Sequence, residues 1–500
     1  MFLAHHGSGG GRLVPGIRSS PSVVAGLCGS LLLGSASLLS LGCGGGRTDV
    51  LLDDWPGTAP DGDGPEQRAL GGGGGVGGGV PTDDLPHLIG TPYVFAPTTD
   101  QFGLQVVALD IDDWKLGAWV RSWRSDVWTE VETLTHPAED VTQWQVTGLE
   151  PGRLYDYAIV ATRRGEAALL YQGQATTQRP AGESFRFALL ADPHVHPREI
   201  LPGAFEPETS AERTLMAVTQ DIRASDPDFV INLGDVLDFH DFGFVLPPPS
   251  GSWTRWGYLN YRRFLGDTLG HAPHFAVIGN WDGENGDFTP EEIQRSREQR
   301  LLYLPGPTPE TYPEGASPYE DYYAFTWGDA LFVVLNVMSY TPTSHRLGND
   351  PGVPDDWTLG EPQLDWLERT LADAESKWRF LLIHHAVGGA AGDDLNSAYG
   401  RGGGQAAYVG EQAHIHELML RYGVQIFFYG HDHVFTDIVV DGIHYTLPGS
   451  AGAPWKFTTE TGYTQYWTNS GHGLVHVSPE SVTVDFVAEG GGVLYSYSVD

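Results

Sequence analysis

From residue 185 onward, short apolar runs repeatedly end in clusters of polar residues. Such a run, bounded by glycine or polar residues, is typical of a strand buried in a sheet. In open α/β sheets ligands bind at the carboxyl ends of the strands, so we expect the endings to converge on one crevice. The runs and clusters are Phe187 to Leu190 before Asp192-Pro193-His194, Phe229 to Leu233 before Gly234-Asp235, His274 to Ile278 before Gly279-Asn280, Phe380 to Ile383 before His384-His385, and Phe427 to Tyr429 before Gly430-His431-Asp432-His433.

Amphipathic segments between these runs predict helices. Thr209 and Glu212 are spaced as an N-terminal capping box, and Thr358 and Glu361 repeat that spacing. Apolar positions then recur at helical intervals. They are Ala211, Leu215, Val218 and Ile222 after the first box, Leu364, Leu367 and Leu371 after the second, and Ile415, Leu418 and Tyr422 before the last apolar run. This repeated β-α-β pattern predicts an α/β domain over residues 181–500, with antiparallel strands added between residues 481 and 499.

Residues 86–180 carry short alternating apolar segments separated by turn residues, which is typical of a β-sandwich. The predicted strands are Leu104 to Leu109, Leu116 to Trp123, Val127 to Val131, Trp144 to Val146, Tyr155 to Val160 and Ala168 to Tyr171. The segment from Leu149 to Tyr157 resembles the tyrosine corner of a fibronectin type III-like domain. The domain over residues 86–180 has no catalytic motif. We therefore expect it to dock on the second domain or to shape access to its site, and a role as a spacer is the alternative.

The N-terminal 85 residues predict export and tethering. Arg12 and Arg18 precede a weakly apolar stretch from Val23 to Leu41, which is the layout of a signal peptide over residues 1–43. The Leu-Gly-Cys43 ending resembles a bacterial lipobox, in which this cysteine is lipidated, and secretion after cleavage elsewhere is the alternative. Residues 44–85 are glycine-rich and predict a flexible linker. The expected location is the cell envelope, periplasmic or on the outer surface, or the medium.

The formal net charge of -36 argues against binding, driven by bulk charge, to partners that need a basic surface. Nucleic-acid binding by bulk charge and electrostatic attachment to anionic membranes both require excess lysine and arginine. Membrane contact is therefore expected only through the lipid anchor. The two cysteines, Cys28 and Cys43, provide no disulfide framework for a mature chain that has lost the first of them.

The clusters at the predicted strand ends contain aspartate, histidine and asparagine but no cysteine. Imidazole nitrogens and carboxylate or amide oxygens are ligands that suit Zn, Fe, Mn or Mg, and they do not suit metals that prefer thiolates. A carboxylate has two oxygens, so Asp235 can bridge two ions. The donor set predicts a dinuclear metal centre.

The ordered motifs Asp192-x-His194, Gly234-Asp235, Gly279-Asn280, Leu381-x-x-His384 and Gly430-His431-x-His433 resemble the signature of the calcineurin-like metallophosphoesterases. The preceding β-sandwich and the segment from Leu359 to Leu367 are similar to the purple acid phosphatase branch. The resemblance implies a metallophosphoesterase β-sandwich flanked by helices in four layers. It also implies two divalent or trivalent ions, Fe, Mn or Zn, held by Asp192, His194 and His433 on one side, by Asn280, His384 and His431 on the other, and bridged by Asp235.

The activity that this resemblance implies is hydrolysis of phosphoric esters by a metal-activated hydroxide. A phosphomonoesterase, with acid phosphatase activity, is the main expectation. A phosphodiesterase using the same site is one alternative, and a non-catalytic phosphate-binding surface lipoprotein is the other. The substrate in either enzymatic case is a phosphate ester.

Three positions depart from the resembled pattern. Purple acid phosphatases have glycine where this chain has His194 and tyrosine where it has Asp238, so without a tyrosinate ligand we expect a colourless protein. Trp281 stands where the family has a histidine that assists the leaving group, and an indole cannot exchange a proton. His385 and His240 are candidate catalytic substitutes, although strand alternation can turn His385 away from the site. The connections at 284–320, 340–360 and 386–412 are longer than ordinary loops, so we expect them to be either walls around the crevice or insertions.

Overall fold

The computed structural model describes residues 85–109, 111, 113–138, 140–199, 207, 209–238, 251–284, 288–340, 358–385, 411–456, 458, 463 and 465–500. These residues belong to one compact unit. The predicted signal peptide with Cys43, nearly all of the glycine-rich linker, the candidate His240 and most of the two connections at 340–360 and 386–412 lie outside the described residues. Within the described part, no helix combines the length and apolar character needed to cross a membrane.

The first part of the fold is a β-sandwich, as predicted. Its five-stranded sheet has the order β1-β3-β7-β6, with β2 also paired to β3, and its four-stranded sheet has the order β5-β4-β8-β9. Tyr155 hydroxyl accepts a hydrogen bond from the Glu150 N–H at 2.9 Å, which closes the predicted tyrosine corner. The strands are β1 His87–Leu88, β2 Tyr93–Phe95, β3 Gln101–Leu109, β4 Lys115–Ser122, β5 Thr129–Val131, β6 Thr133–Ala138, β7 Val141–Thr147, β8 Leu154–Arg163 and β9 Glu166–Thr176.

The second part contains two six-stranded sheets. The first has the order β12-β11-β10-β19-β20-β21, and the second has the order β13-β14-β15-β16-β18-β17. The strands are β10 Phe185–Leu190, β11 Phe229–Asn232, β12 His274–Ala276, β13 Tyr323–Trp327, β14 Ala330–Val334, β15 Trp378–Leu382, β16 Ile426–Phe428, β17 Phe435–Val440, β18 Ile443–Pro448, β19 Gly471–Val477, β20 Val482–Ala488 and β21 Val493–Val499. The strands β10, β11 and β12 are parallel to one another, as are β14, β15 and β16, and the predicted antiparallel additions are β20 and β21.

Aromatic side chains fill the space between the two sheets. Phe187 and Phe229 of the first sheet stack at 5.2 Å between ring centroids. Phe275 of the first sheet stacks on Phe325 of the second at 4.2 Å. Phe187 also meets Phe332 of the second sheet at 5.0 Å, with the ring planes near perpendicular. Offset and edge-on arrangements of this kind add to the stabilisation from burial, so this aromatic layer holds the two sheets together.

Helices cover the outer faces of both sheets, which confirms the predicted four-layer arrangement. Along β10 the side chains alternate, because Phe187 and Leu189 join the core between the sheets while Ala188 and Leu190 pack with the helices. The helices are α1 Ser210–Ser225, α2 Gly251–Leu265, α3 Pro290–Tyr303, α4 Glu361–Asp373 and α5 Glu411–Arg421. The helices α1 and α2 share a core with the first sheet, and α4 and α5 share one with the second.

The two predicted capping boxes have different outcomes. Thr209 and Glu212 form the box, and all four apolar residues predicted behind it are buried. The box at Thr358 and Glu361 is wrong, because α4 begins after Gly360 and has no side-chain cap. Thr358 hydroxyl instead donates to Glu411 at the start of α5, at 2.7 Å. The interpretation of residues 284–320 as one long connection is also wrong, since it contains α3.

The β-sandwich docks on the second part through a continuous buried surface. Docking was one of the two roles predicted for it. Tyr93, Val107 and Val141 belong to the same core cluster as α1 and α2. Tyr157 hydroxyl donates to Gly270 O at 2.8 Å across this contact. Arg262 is buried beneath it and donates to the backbone oxygens of Gln105 and Tyr303. The sandwich therefore has a fixed position against the first six-stranded sheet.

Candidate metal centre

Five strands, three from the first six-stranded sheet and two from the second, end at one buried cluster of polar side chains. Asp192 follows β10, Asp235 follows β11 and Asn280 follows β12, while His384 follows β15 and both His431 and His433 follow β16. His194 lies beside Asp192, so all seven sequence-predicted ligands reach this edge. Each of them is at most 5% exposed. The predicted convergence therefore uses both sheets rather than a single open one.

Most of these residues have unfavourable backbone conformations, which direct their side chains into the cluster. Five of the seven residues have φ in the left-handed region: His194 at 47°, Asp192 at 52°, Asp235 at 55°, His433 at 59° and His431 at 81°. Residues other than glycine seldom adopt this conformation, and each instance costs of order 1 kcal/mol. The strain is held in place by the strands that end just before each of these turns.

The first group of donors contains Asp192, His194 and His433. The Nε2 atoms of His194 and His433 lie 3.2 Å apart. His433 Nε2 is 3.4 Å from Asp192 Oδ1, and His194 Nε2 is 3.6 Å from Asp235 Oδ2. Two imidazole nitrogens and two carboxylate oxygens thus point at a common centre.

The second group contains Asn280, His384 and His431. Asn280 Oδ1 lies 3.1 Å from His384 Nε2 and 3.0 Å from His431 Nδ1. Asp235 Oδ2 is 3.1 Å from His384 Nε2, so the same oxygen approaches both groups. Within the described part of the chain this oxygen has no hydrogen bond of good geometry.

Hydrogen bonds behind the cluster fix which ring nitrogens face inward. His384 Nδ1 lies 2.7 Å from Leu233 O, and His433 Nδ1 lies 3.0 Å from Trp455 O. A carbonyl oxygen can only accept, so each Nδ1 carries a proton and each Nε2 faces the cluster. Metal-ligating histidines are oriented by outer hydrogen bonds of this kind. Buried nitrogen and oxygen donors with no thiolate fit Fe, Mn or Zn.

The charges of the cluster favour a bound cation. Burial opposes ionisation of Asp235, but the imidazoles of His384 and His194 outweigh it and lower the pKa of the carboxyl. Burial alone would lower the pKa of His384, yet the Asp235 and Asp192 carboxylates raise it to about 9. Burial dominates at His194 and lowers its pKa to about 4. The carboxylates of Asp235 and Asp192 therefore stabilise positive charge at the buried His384.

Asp282 positions the loops around the cluster, a role that the sequence reasoning missed. Its carboxylate accepts backbone N–H groups from Gly279 at 2.8 Å, Val236 at 2.9 Å and Asp235 at 3.2 Å. These bonds tie the turn after β11 to the turn after β12. The available signal was the position of Asp282 directly behind the Gly279-Asn280 motif.

Two indole rings flank the first group. The Trp281 ring centroid is 5.9 Å from that of His194, and the Trp281 backbone N–H donates to Asp235 Oδ1 at 2.8 Å. The Trp455 ring centroid lies 4.9 Å from His194 and 5.3 Å from His433. The sequence reasoning missed Trp455, because the loop after β18 matches none of the motifs.

His385 lies beside the second group. Its ring centroid is 4.0 Å from that of His431 and 4.8 Å from that of His384. A nitrogen of each of these three rings falls within 4.8 Å of the others. Strand alternation does not turn His385 away, because β15 ends at Leu382. The other candidate, His240, lies outside the described residues.

The part of the chain that holds the donors is similar to known proteins. A family model described as calcineurin-like phosphoesterase matches residues 185–435, which include all seven donors. The structure of purple acid phosphatase PPD1 from yellow lupin (Lupinus luteus) seeds is similar over 82% of this chain and 74% of its own, with a TM-score of 0.56 and 16% identity. A structure of PhoD is similar over 84% of this chain and 92% of its own, with a TM-score of 0.62 and 14% identity. No curated protein sequence matches the chain.

Proposed function

This chain belongs to the calcineurin-like phosphoesterase family and is a metallophosphoesterase, and we propose that it hydrolyses phosphoric monoesters with two bound metal ions. The observation that supports two ions is the position of Asp235. Its Oδ2 lies 3.6 Å from His194 of one donor group and 3.1 Å from His384 of the other. A single carboxylate between two sets of inward-facing nitrogens is the arrangement that a bridging ligand requires.

The ligand assignment follows the two groups. Asp192, His194 and His433 would hold one ion, Asn280, His384 and His431 would hold the other, and Asp235 would bridge them. Fe, Mn and Zn are the metals that this donor set suits. Two ions held there would supply Lewis acidity, which could activate water for attack on phosphorus and neutralise charge on the phosphate oxygens.

The surrounding residues position the ligands and limit the proton chemistry. Asp282 holds the loops that carry Asp235 and Asn280. The Trp281 indole can donate a hydrogen bond but cannot exchange a proton, so position 281 does not protonate the leaving group. General acid assistance is typically worth about 10²–10⁴-fold in rate. The proposal therefore favours esters whose leaving group departs without a proton, such as aryl phosphates.

Phosphodiester hydrolysis at the same centre is the second candidate. The indoles of Trp281 and Trp455 favour it, because both rings lie within 6 Å of the His194 ring and provide a surface for an aromatic leaving group or base. A non-catalytic phosphate-binding surface lipoprotein is the third candidate. It is the least favoured, since all seven donors that the family resemblance implies are present in this chain.

We also propose that the protein is exported and that Cys43 carries a lipid anchor. The support is the layout of residues 1–43, with arginines ahead of a weakly apolar stretch that ends in Leu-Gly-Cys43. The glycine-rich linker would then separate the enzyme from the membrane. Metabolic labelling with a radioactive fatty acid tests this, and Cys43→Ser should abolish the label.

The test of the activity compares a matched pair of esters. The purified chain, stripped of metal and reloaded with Mn, Zn or Fe, is assayed on 4-nitrophenyl phosphate and on bis(4-nitrophenyl) phosphate. Faster hydrolysis of the monoester that disappears in Asp235→Asn supports the main proposal, and faster hydrolysis of the diester supports the second candidate. Two bound ions with no hydrolysis of either ester would favour the binding protein.

A further inference from the structure

A groove of about 1010 Å³ lies between the β-sandwich and the first six-stranded sheet, away from the metal centre. Phe185, the first residue of β10, and Asp228, which precedes β11, both line it. The metal ligands follow the opposite ends of these same two strands. At about 3.3 Å per residue, the seven steps along the chain from Phe185 to Asp192 span about 23 Å. The groove is therefore a separate site and not the substrate pocket of the phosphoesterase.

The arginines that line the groove are already neutralised. Arg179 Nε lies 2.6 Å from Asp228 Oδ1. Arg186 is 3.7 Å from Asp226, and Arg153 is 3.3 Å from Glu150. All six of these residues line the groove. Because each cation has its own carboxylate, the groove has no excess positive charge with which to recruit an anion, and the net charge of -36 opposes one further.

Trp123 places an exposed aromatic ring at the groove. The residue is 47% exposed, although a tryptophan side chain buries a large apolar area when it packs in a core. Its backbone N–H donates to Leu154 O at 3.0 Å, which fixes the chain beneath the ring. The Arg124 guanidinium lies over the ring at 3.9 Å from its centroid, and Arg124 itself has a left-handed φ of 66°. This turn is strained, and it holds a partly exposed indole in the lining of the groove.

The remaining lining is rich in short, uncharged hydrogen-bonding groups. It includes the hydroxyls of Ser122, Thr176, Ser481 and Thr483 and the amide of Gln174. Gln174 Nε2 donates to Asp156 Oδ1 at 2.9 Å, so its amide has a fixed orientation. Sugar rings combine apolar C–H faces with a rim of hydroxyls that both donate and accept. An indole next to one fixed amide, several hydroxyls and paired ions complements both parts, and the volume is that of a small-molecule site.

We propose that this groove binds a neutral oligosaccharide, with a sugar ring stacked on Trp123. The phosphoesterase would then be held on a glycan while its metal centre, at the other edge of the sheet, stays open to substrate. The assignment is independent of which phosphate ester the enzyme hydrolyses. Trp123 has no part in the metal centre, so binding and hydrolysis are separable.

Affinity electrophoresis of the full chain in native gels tests the proposal. The gels contain one of three neutral polysaccharides, namely dextran, laminarin or galactomannan, or the anionic dextran sulfate. We expect at least one neutral polysaccharide to retard the protein. Trp123→Ala should raise the Kd for that polysaccharide, obtained from the retardation, by about 30-fold, as expected for loss of an aromatic hot spot. Trp123→Phe should retain part of it, and hydrolysis of 4-nitrophenyl phosphate should be the same in all variants.

Tyr319→Ala provides the matched control, because Tyr319 is also 47% exposed and does not line the groove. Unchanged retardation of this variant, together with loss in Trp123→Ala, supports the assignment. Retardation by none of the neutral polysaccharides overturns it. Retardation by dextran sulfate alone overturns it in favour of an anion site, and equal retardation of Trp123→Ala and the wild type overturns the location.

Discussion

Replacing Asp235 by asparagine removes one charge from the metal centre while keeping the shape of the side chain. Asp235 Oδ2 lies 3.1 Å from His384 Nε2, and unit charges at that distance attract each other by about 5 kcal/mol at an effective dielectric of about 20. Burial offsets part of this attraction. The net effect is a His384 pKa of about 9 instead of 6.5, which corresponds to about 3 kcal/mol for one positive charge.

Asp235 contributes more to that shift than Asp192 does, so Asp235→Asn removes the larger share of the attraction. A bound ion carries at least twice the charge of a protonated imidazole. We therefore expect metal affinity to fall by at least about 100-fold, since 3 kcal/mol is more than a factor of 100. The value of kcat/KM on 4-nitrophenyl phosphate should fall by at least the same factor.

Equilibrium dialysis against Mn or Zn, followed by elemental analysis, measures the affinity and the number of bound ions. Asp437→Asn is the control, because Asp437 is a carboxylate with little exposure that accepts hydrogen bonds from His444 and Thr446 away from the metal centre. The control should bind metal like the wild type. Two ions bound at wild-type affinity with undiminished turnover in Asp235→Asn would refute the bridging role of this residue.

Gly279→Ala should abolish most activity and metal binding, because a Cβ at position 279 would collide with the backbone nitrogen and Oδ1 of Asp235; a variant with normal metal content would contradict this. Trp281→His should raise turnover of alkyl monoesters, whose leaving groups need a proton, by about 10²-fold or more, measured by phosphate release, and a lower rate would show that the indole has a role of its own. His274 is buried, and its ring nitrogens contact the hydroxyls of Tyr93 and Tyr261. Burial lowers the pKa of His274 to about 3. Because the folded pKa lies below the unfolded value of 6.5, the stability that neutral His274 provides is complete above pH 6.5. It is lost at up to about 1.4 kcal/mol per pH unit as pH falls toward 3. Urea unfolding of His274→Gln between pH 7 and pH 4 should show a shallower loss than the wild type, and identical slopes would exclude this histidine as the cause.

The metal-centre residues could be predicted because each follows a strand within a few positions. A buried strand is visible as an apolar run, and the parallel order of β10, β11 and β12 brings three of the endings together at one edge. The pairing of the two sheets was not visible in the runs themselves. It depends on contacts between distant phenylalanines, such as Phe275 and Phe325, that no local pattern encodes.

Elements without an apolar stripe escaped the sequence reasoning. Helix α3 is held mainly by polar contacts, because Arg300 Nε donates to Glu284 Oε1 at 2.6 Å and the Ser296 hydroxyl donates to Asp282 O at 2.8 Å. Its residues therefore show no apolar periodicity. Among the described strands, β6 pairs with β7 alone, at the edge of its sheet, and contains Pro137, so it lacks the alternation of a half-buried strand.

The false capping box shows why spacing alone is insufficient. Thr358 has the right residue type and the right distance from Glu361, but Glu411 competes for it. Glu411 accepts both the Thr358 hydroxyl and the Leu359 N–H, at 2.7 and 2.6 Å. This partner is 53 residues away in the sequence, so only the tertiary fold decides which contact forms.

The strand order of the first six-stranded sheet determines when the enzyme can be completed during synthesis. The strand that precedes Asp192, β10, has β19 as one of its two neighbours, and β19 begins at Gly471. The Asp192 backbone oxygen also accepts the Ala453 N–H, and its carboxylate accepts the N–H of His431, 239 residues away. A ribosome must therefore translate nearly the whole chain before the first aspartate finds its supports. A product that stops before Gly471 contains all seven donors but lacks the strand that pairs with β10 on that side.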